Sequence, residues 1–219
     1  MDDFKSLKDY QRKHRDNWGK GISLRIHRAL SWLNRAEQER ERGDTDAEFI
    51  FLWIAFNAAY TSQHANDERF TERDTFDGFL QRIVGFDSDK ALYQIIWKHY
   101  PSVIRSLMDN QYVFQPYWDC MNKPEPDNSW QESFSAAKRA SHKALAEQNV
   151  STSLSIVLSR LYTLRNQLVH GGATWNGQLN RTQLKDAANL LAHIVPIVLR
   201  LMMEHGSEHW GDATYFLVD

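Results

Sequence analysis

Residues 165–172 read Arg-Asn-Gln-Leu-Val-His-Gly-Gly, and they hold the strongest chemical signal in the chain. An arginine offers five donors in a fixed fork suited to a phosphate or carboxylate, and histidine is the side chain whose ordinary pKa lies nearest neutrality. Asn166 and His170 are four apart, so a helix through them puts amide and imidazole on one face, where the amide can orient the ring. Arg165 stands three before Leu168 and four after Leu161, which predicts a permanent cation on the apolar stripe of the same helix. Such a cation needs a carboxylate, a phosphate or an open cleft to offset its desolvation. Arg165 and His170 lie about 140° apart on an ideal helix, so they converge only if the arginine swings around and the helix stops at His170. Gly171-Gly172 permits that stop. The plain alternative is an ordinary helix end, with cations complementing the dipole and a glycine beyond them.

The elements that position these residues are helical. Leu154, Val157, Leu158, Leu161, Leu164 and Leu168 form one stripe, after a break at Asn149–Ser151. Ile22, Ile26, Ala29, Leu33 and Ala36 form another, stopped by Gly43. Asp44, Thr45 and Asp46 offer caps for a helix from about Ala47 to Ser62 that is apolar nearly all round. These two make an antiparallel hairpin, and Phe49–Tyr60 is expected to be the most buried segment. Asn57 interrupts that apolar run, and its amide needs a partner; His170 or Arg165 would suit it, as would a backbone carbonyl.

Residues 63–73 read as a loop, and Asp74 as the cap of a short helix bearing Phe76, Phe79, Leu80 and Ile83. Leu92, Ile95, Ile96 and His99 indicate another helix, and Pro101 starts or kinks the next, with Val103, Ile104, Leu107 and Met108. Residues 111–130 hold three of the five prolines and read as an ordered excursion followed by an exposed loop. Helix returns over 129–148, with Phe134, Ala137, Ala140 and Ala144 on one face. Asn180 is expected to cap a last long helix bearing Leu184, Ala187, Leu191, Ile194, Val195, Val198 and Met202, kinked by Pro196. The whole predicts one all-α domain of six to eight helices: a basic arm over 1–21, a bundle over 22–205 and a short tail over 206–219 that docks as an extended segment.

Composition bounds the function classes. The chain has 219 residues, a net charge of -2 and a single cysteine. That excludes an intramolecular disulfide and a Cys-based zinc cluster and points to a reducing cytosol. No apolar segment follows Met1, so secretion is not expected, and the 12-residue run Phe49–Tyr60 is too short to cross a bilayer. Charge is uneven: +4 over 1–42, -7 over 43–130, +5 over 131–200 and -4 over 201–219. Lys13, Arg15, Lys20 and Arg25 in the basic arm, interleaved with Tyr10 and Trp18, could grip phosphates and stack a base; a solvated arm is the alternative. His205 and His209, beside Glu204 and Glu208, make a poor metal set because Gly206 lies between them. There is no P-loop, GxGxxG, HExxH or nucleophile elbow, and no cofactor is expected.

RNQLVH at residues 165–170 resembles the Arg-x4-His motif of HEPN domains, in the Arg-Asn form followed by His-Gly. The order of elements is similar too. A first hairpin contains Trp-Ile-Ala-Phe-Asn (Trp53–Asn57), an insertion follows, and the motif closes the penultimate major helix. The resemblance covers most of residues 22–205 and looks closest to the Apea-like and related prokaryotic groups. It implies a HEPN-like helical bundle and a metal-independent ribonuclease, a toxin or defence effector acting on RNA as a homodimer, with a cognate antitoxin among the partners implied. Arg165 and His170 would be catalytic, Asn166 would orient His170 or hold a phosphate oxygen, and Asn57 would support them. The HEPN toxins paired with small nucleotidyltransferases carry a tyrosine two residues after the histidine. This chain has Gly172 there, so regulation through that tyrosine does not carry over. The second class that stays open is a non-catalytic HEPN-fold module that binds RNA, a nucleotide or a protein, since fold does not settle function.

Overall fold

Caps and apolar stripes coincide along most of the chain, and helix forms where they do. The computed structural model describes residues 2–61, 72–178 and 180–215, and among these are ten α-helices and no strand. The helix α2 (Lys20–Arg42) buries Ile22, Ile26, Ala29, Leu33 and Ala36 and ends at Gly43. One residue later the Asp44 carboxylate accepts from the Ala47 amide at 3.0 Å and caps α3 (Thr45–Tyr60). The two-residue joint, Gly43-Asp44, folds α3 back along α2 as the expected hairpin. The loop expected over 63–73 lies mainly outside the described residues; α4 (Glu72–Phe86) follows it.

No residue of Phe49–Tyr60 is exposed, in keeping with its lack of a polar face. The later part of α10 (Arg181–Glu204) is at least as deeply buried, with no exposed residue from Leu190 to Met203, and the helix buries the whole expected stripe together with Ala188, Leu190, Leu199, Leu201 and Met203. The reason is position: α10 packs against α3, α2, α4 and the N-terminal helix α1 (Phe4–His14), so it is covered on several sides. By length and composition α10 could cross a bilayer, but 67% of its apolar window is buried in this bundle. The Asn180 side chain does not cap it.

Regions expected to be irregular contribute the additional helices. In the arm, Asp3 and Ser6 form a reciprocal capping box for α1, Leu7 is fully buried and Asp2 pairs with Arg200 at 2.7 Å. The arm is therefore a docked helix. Its aromatics are committed as well: Tyr10 stacks on His14 and lies under Arg200, and Trp18 covers Gly206 so closely that a Cβ there would collide with the indole. After Asp87 caps α5 (Ala91–Gln94), a π-turn over Ile95–His99 precedes α6 (Pro101–Asp109). The excursion contains a 3-10 turn (Gln111–Val113) and α7 (Gln115–Met121) before an irregular stretch leads to α8 (Trp130–Ala146). The buried face of α8 is rotated from the expected one. Ala140 is exposed and Ser141 is buried, its hydroxyl satisfied by the Ala137 carbonyl at 2.8 Å. The helix α9 (Val150–Val169) is capped by Asn149 and carries the motif.

The tail docks through arginines. Arg25 is 2% exposed and donates to the carbonyls of Ala59 and Tyr60 at the end of α3 and to those of Trp210 and Gly211 in the tail. Arg28 adds bonds to the Thr214 and Tyr215 carbonyls at 2.7 and 2.8 Å. Arg25 is thus not part of a phosphate-gripping surface, because main-chain acceptors have consumed its donors. Burial, and secondarily the nearby Arg82, pull its pKa down to about 10, so it stays charged at neutral pH.

Replacing Arg25 with Met should leave those carbonyls without a donor and cost about 3–5 kcal/mol. For a chain of this size that is a fall in Tm of roughly 6–20 °C, measurable by circular dichroism. An unchanged Tm would show that the tail does not depend on this guanidinium. The Asp2 carboxyl is held below its ordinary 3.8, chiefly by its hydrogen bond from Arg200. A depressed folded-state pKa contributes stability that is present above the unfolded value and lost as pH falls through the folded one. Asp2→Asn should therefore cost about 1 kcal/mol or less at neutral pH, and the difference from wild type should shrink as pH falls below the ordinary carboxylate value and vanish once it has passed the lowered folded-state pKa.

Candidate functional site

The motif sits where α9 leaves the bundle. Up to Leu164 the helix is buried on a broad front; Arg165, Asn166, Gln167 and Leu168 are half-buried, and Val169 and His170 are exposed. The helix ends as its sequence requires. Gly171 adopts φ +72, its amide bonds to the Leu168 carbonyl at 3.2 Å, and the Gly172 amide bonds to the Gln167 carbonyl at 2.7 Å. This is the paired-carbonyl ending that a left-handed residue makes available, and it leaves His170 as the last residue before the turn.

Arg165 does not lie on the sealed part of the apolar stripe. Its guanidinium turns back along the surface and donates to the Asn166 side-chain oxygen at 2.9 Å. The arginine therefore swings toward the face that carries His170, as convergence requires. The same bond uses the Asn166 carbonyl oxygen, and among the described residues no hydrogen bond joins the Asn166 amide to the imidazole. Asn57 is half-buried on α3 and likewise makes no hydrogen bond to Arg165 or His170. The link from α3 to α9 is aromatic instead, with Trp53 and Tyr162 rings 5.9 Å apart. Lys13, Arg15 and Lys20 are exposed, at the end of α1 and the start of α2, while Arg25 is buried as described. His205 stacks on Phe86 and Glu208 pairs with Arg82, so the His205/His209 region serves packing.

Three residues of this region carry no signal in the periodicity. Gln167, inside the motif, donates to the Tyr112 carbonyl at 2.6 Å and accepts from the Asn180 amide at 3.0 Å, joining the excursion and the start of α10 to the motif helix. Tyr162 and Val169 are 47% and 50% exposed. With Arg165, Asn166 and His170 they fall at the i, i+3, i+4, i+7 and i+8 positions of one ridge. The turn beyond the motif is pinned to the start of α3: Asp46 pairs with Arg181 at 2.7 Å, and the Trp175 indole donates to Asp44 at 3.1 Å. The cavity between Asp46, Gln167, Asn180 and Arg181 measures about 10 Å³, room for one water and no substrate. A larger groove of about 370 Å³, between His99 and Pro196, includes no residue of α9. The candidate site is therefore a surface ridge, open to a large ligand or a second chain.

Compared with family models, curated proteins and solved structures, the chain matches none.

Because Gly171 sits in the left-handed region, Gly171→Ala should cost about 1 kcal/mol, a Tm fall of roughly 2–4 °C. Hydrogen exchange at the Gly172 amide should rise with it, since that amide's bond to Gln167 depends on the turn. An unchanged exchange rate would show that the turn survives without glycine.

Proposed function

We propose that the chain is a metal-independent endoribonuclease of HEPN type that works in the cytoplasm as a two-fold homodimer, a toxin or defence effector. The observation that carries this reading is the ridge of α9, where Arg165 and His170 share one open surface with Asn166 and two half-exposed apolar residues. A two-fold contact across Tyr162 and Val169 brings two copies of the motif to one groove. There, the RNA 2'-hydroxyl attacks the adjacent phosphorus as it loses its proton to an imidazole. The 5'-oxygen leaves as it receives a proton, which a second imidazole of the pair can supply. Arg165 holds the phosphoryl oxygens as negative charge builds up on them. The products are a 2',3'-cyclic phosphate and a 5'-hydroxyl. A cognate antitoxin would act by covering the same ridge.

One feature favours the second reading, a module that binds RNA, a nucleotide or a protein without cleaving it. Within one chain the His170 ring has no hydrogen-bond partner among the described residues, so its orientation must come from a partner chain or from the ligand.

Purified protein incubated with labelled RNA in EDTA separates the two. His170→Ala and Arg165→Ala should each lower cleavage at least ~10²-fold with the fold intact by circular dichroism. Arg165→Ala should weaken RNA binding more, since the guanidinium also contacts the ground-state phosphate. A 2'-deoxy nucleotide at the cleavage position should block the reaction, and EDTA should not slow it. Mutants as fast as wild type would overturn the ribonuclease reading, and RNA binding without cleavage would put the binding module in its place.

A further inference from the structure

The buried cation of α9 is Arg160, five residues before Arg165. It is 3% exposed, and among the described residues none of its five N–H groups has a hydrogen-bond acceptor or an ion-pair partner. Nε is sealed from solvent in that state; the two terminal nitrogens are not sealed. The guanidinium lies 4.4 Å from the Phe114 ring centre and 5.7 Å from that of Phe134. Ring faces attract the positive charge, but a phenyl ring offers no oxygen or nitrogen acceptor, so the N–H groups remain without a conventional hydrogen-bond partner.

The surroundings are short of acceptors in the same way. Trp130, whose ring centre is 6.0 Å from that of Phe134, has a buried indole N–H with no acceptor. Lys138 approaches the Phe134 ring as well, at 5.9 Å. The carboxylate whose charge reaches Arg160 is Asp109, and it is engaged by Lys138 at 3.1 Å and His142 at 3.2 Å. Burial pulls the Arg160 pKa down to about 10, so the group is a full cation at neutral pH. A buried cation with unmet donors is costly unless something negative joins it. Beside it, Tyr112, Tyr117, Trp118 and Trp130 form a run of ring contacts in which none of the four is fully buried.

We propose that Arg160, with Trp130 and the aromatic cluster of α7 and α8, is a receptor for a phosphate group, carried by a mononucleotide whose base lies on the half-exposed rings. The planar fork of Arg160 matches two phosphate oxygens, and Arg160 itself, a cation with no carboxylate paired to it among the described residues, supplies the charge. The site is separate from the Arg165/His170 ridge and does not depend on its activity.

Thermal unfolding at constant ionic strength, with chloride exchanged for inorganic phosphate or for adenosine monophosphate, tests this. Tenfold above its Kd, the ligand should raise the wild-type Tm by roughly 3–6 °C. Arg165→Ala should keep that response. Arg160→Met should be at least as stable as wild type without phosphate, and its Tm should be flat as phosphate is added. Arg160→Lys, which keeps the charge and loses the fork, should need at least about tenfold more ligand. If the nucleotide acts at lower concentration than phosphate, the rings hold its base; equal potency leaves a receptor for free phosphate. A wild-type Tm that ignores both ligands overturns the proposal. So does a response that survives in Arg160→Met, or one lost in Arg165→Ala, which would put the anion on the ridge. Should Arg160→Met fail to fold, an unshifted response in Arg160→Lys overturns it.

Discussion

The end of α3 is a set of carbonyls turned inward, and among the described residues its neighbours are arranged around a buried arginine that donates to them. A helix leaves its last carbonyls without intrahelical donors, and a buried helix end must find donors elsewhere. Arg25, projecting from the second turn of α2, reaches the carbonyls of Ala59 and Tyr60 and, with the same guanidinium, those of Trp210 and Gly211. Trp210 thereby packs at the end of α3 and meets Phe79 and Phe86 of α4, with the Arg82 guanidinium 4.3 Å from its ring centre. Phe56 and Tyr60 of α3 complete the cluster against Phe76 and Phe79. One buried cation thus links α2, α3, α4 and the tail. Phe49–Tyr60 is buried along its length by α2 and α10, and Arg25 closes the end of that packing at Ala59 and Tyr60.

Periodicity and caps made most of the fold legible. The stripes of α2, α9 and α10, the stop at Gly43 and the Asp44 cap were all readable, because each is a local property of side chains a few residues apart. Arg25 was misread for a physical reason. Its acceptors are main-chain carbonyls contributed by residues 34 and more than 180 positions away, and carbonyls leave no trace in residue type. The docking of the arm was hidden in the same way: Lys13, Arg15 and Lys20 suggest a phosphate grip or a solvated arm, yet Leu7 and Gln11 form the face that seats α1. Asn180 has the residue type of a cap but adopts φ 56, and its amide goes to Gln167 instead. Ser141 displaced Ala140 from the buried face of α8 because a serine in a helix can return its hydroxyl to the preceding turn, so its burial costs little.

The two arginines of α9 show how far spacing alone can place a charge. Both lie within the helix turns that face the bundle, and the stripe gave no reason to prefer one for burial. What separates them is the structure around each. Arg160 falls opposite Phe114 and Phe134, whose ring centres lie 4.4 and 5.7 Å from its guanidinium, whereas Arg165 falls beyond the last buried turn, where a neighbouring amide and open solvent compete for it. A cation is held deep where aromatic rings share its charge, and stays at the surface where the bundle ends.

That ending also explains why the motif looks incomplete in one chain. Gln167 fastens the motif turn to Tyr112 and Asn180, and Asp46 fastens Arg181 and the following loop, so the main chain under His170 is held from both sides. Above it, the side chains of the ridge have few partners. A rigid backbone carrying unpartnered polar groups is what a site needs when its remaining contacts come from another molecule, because the ordering has been done before binding and the donors are still free. On the proposed reading, a cation, an imidazole and two half-exposed apolar side chains on such a ridge would divide the work: the apolar pair would bury against a second copy, and the polar pair would be left facing what lies between the two.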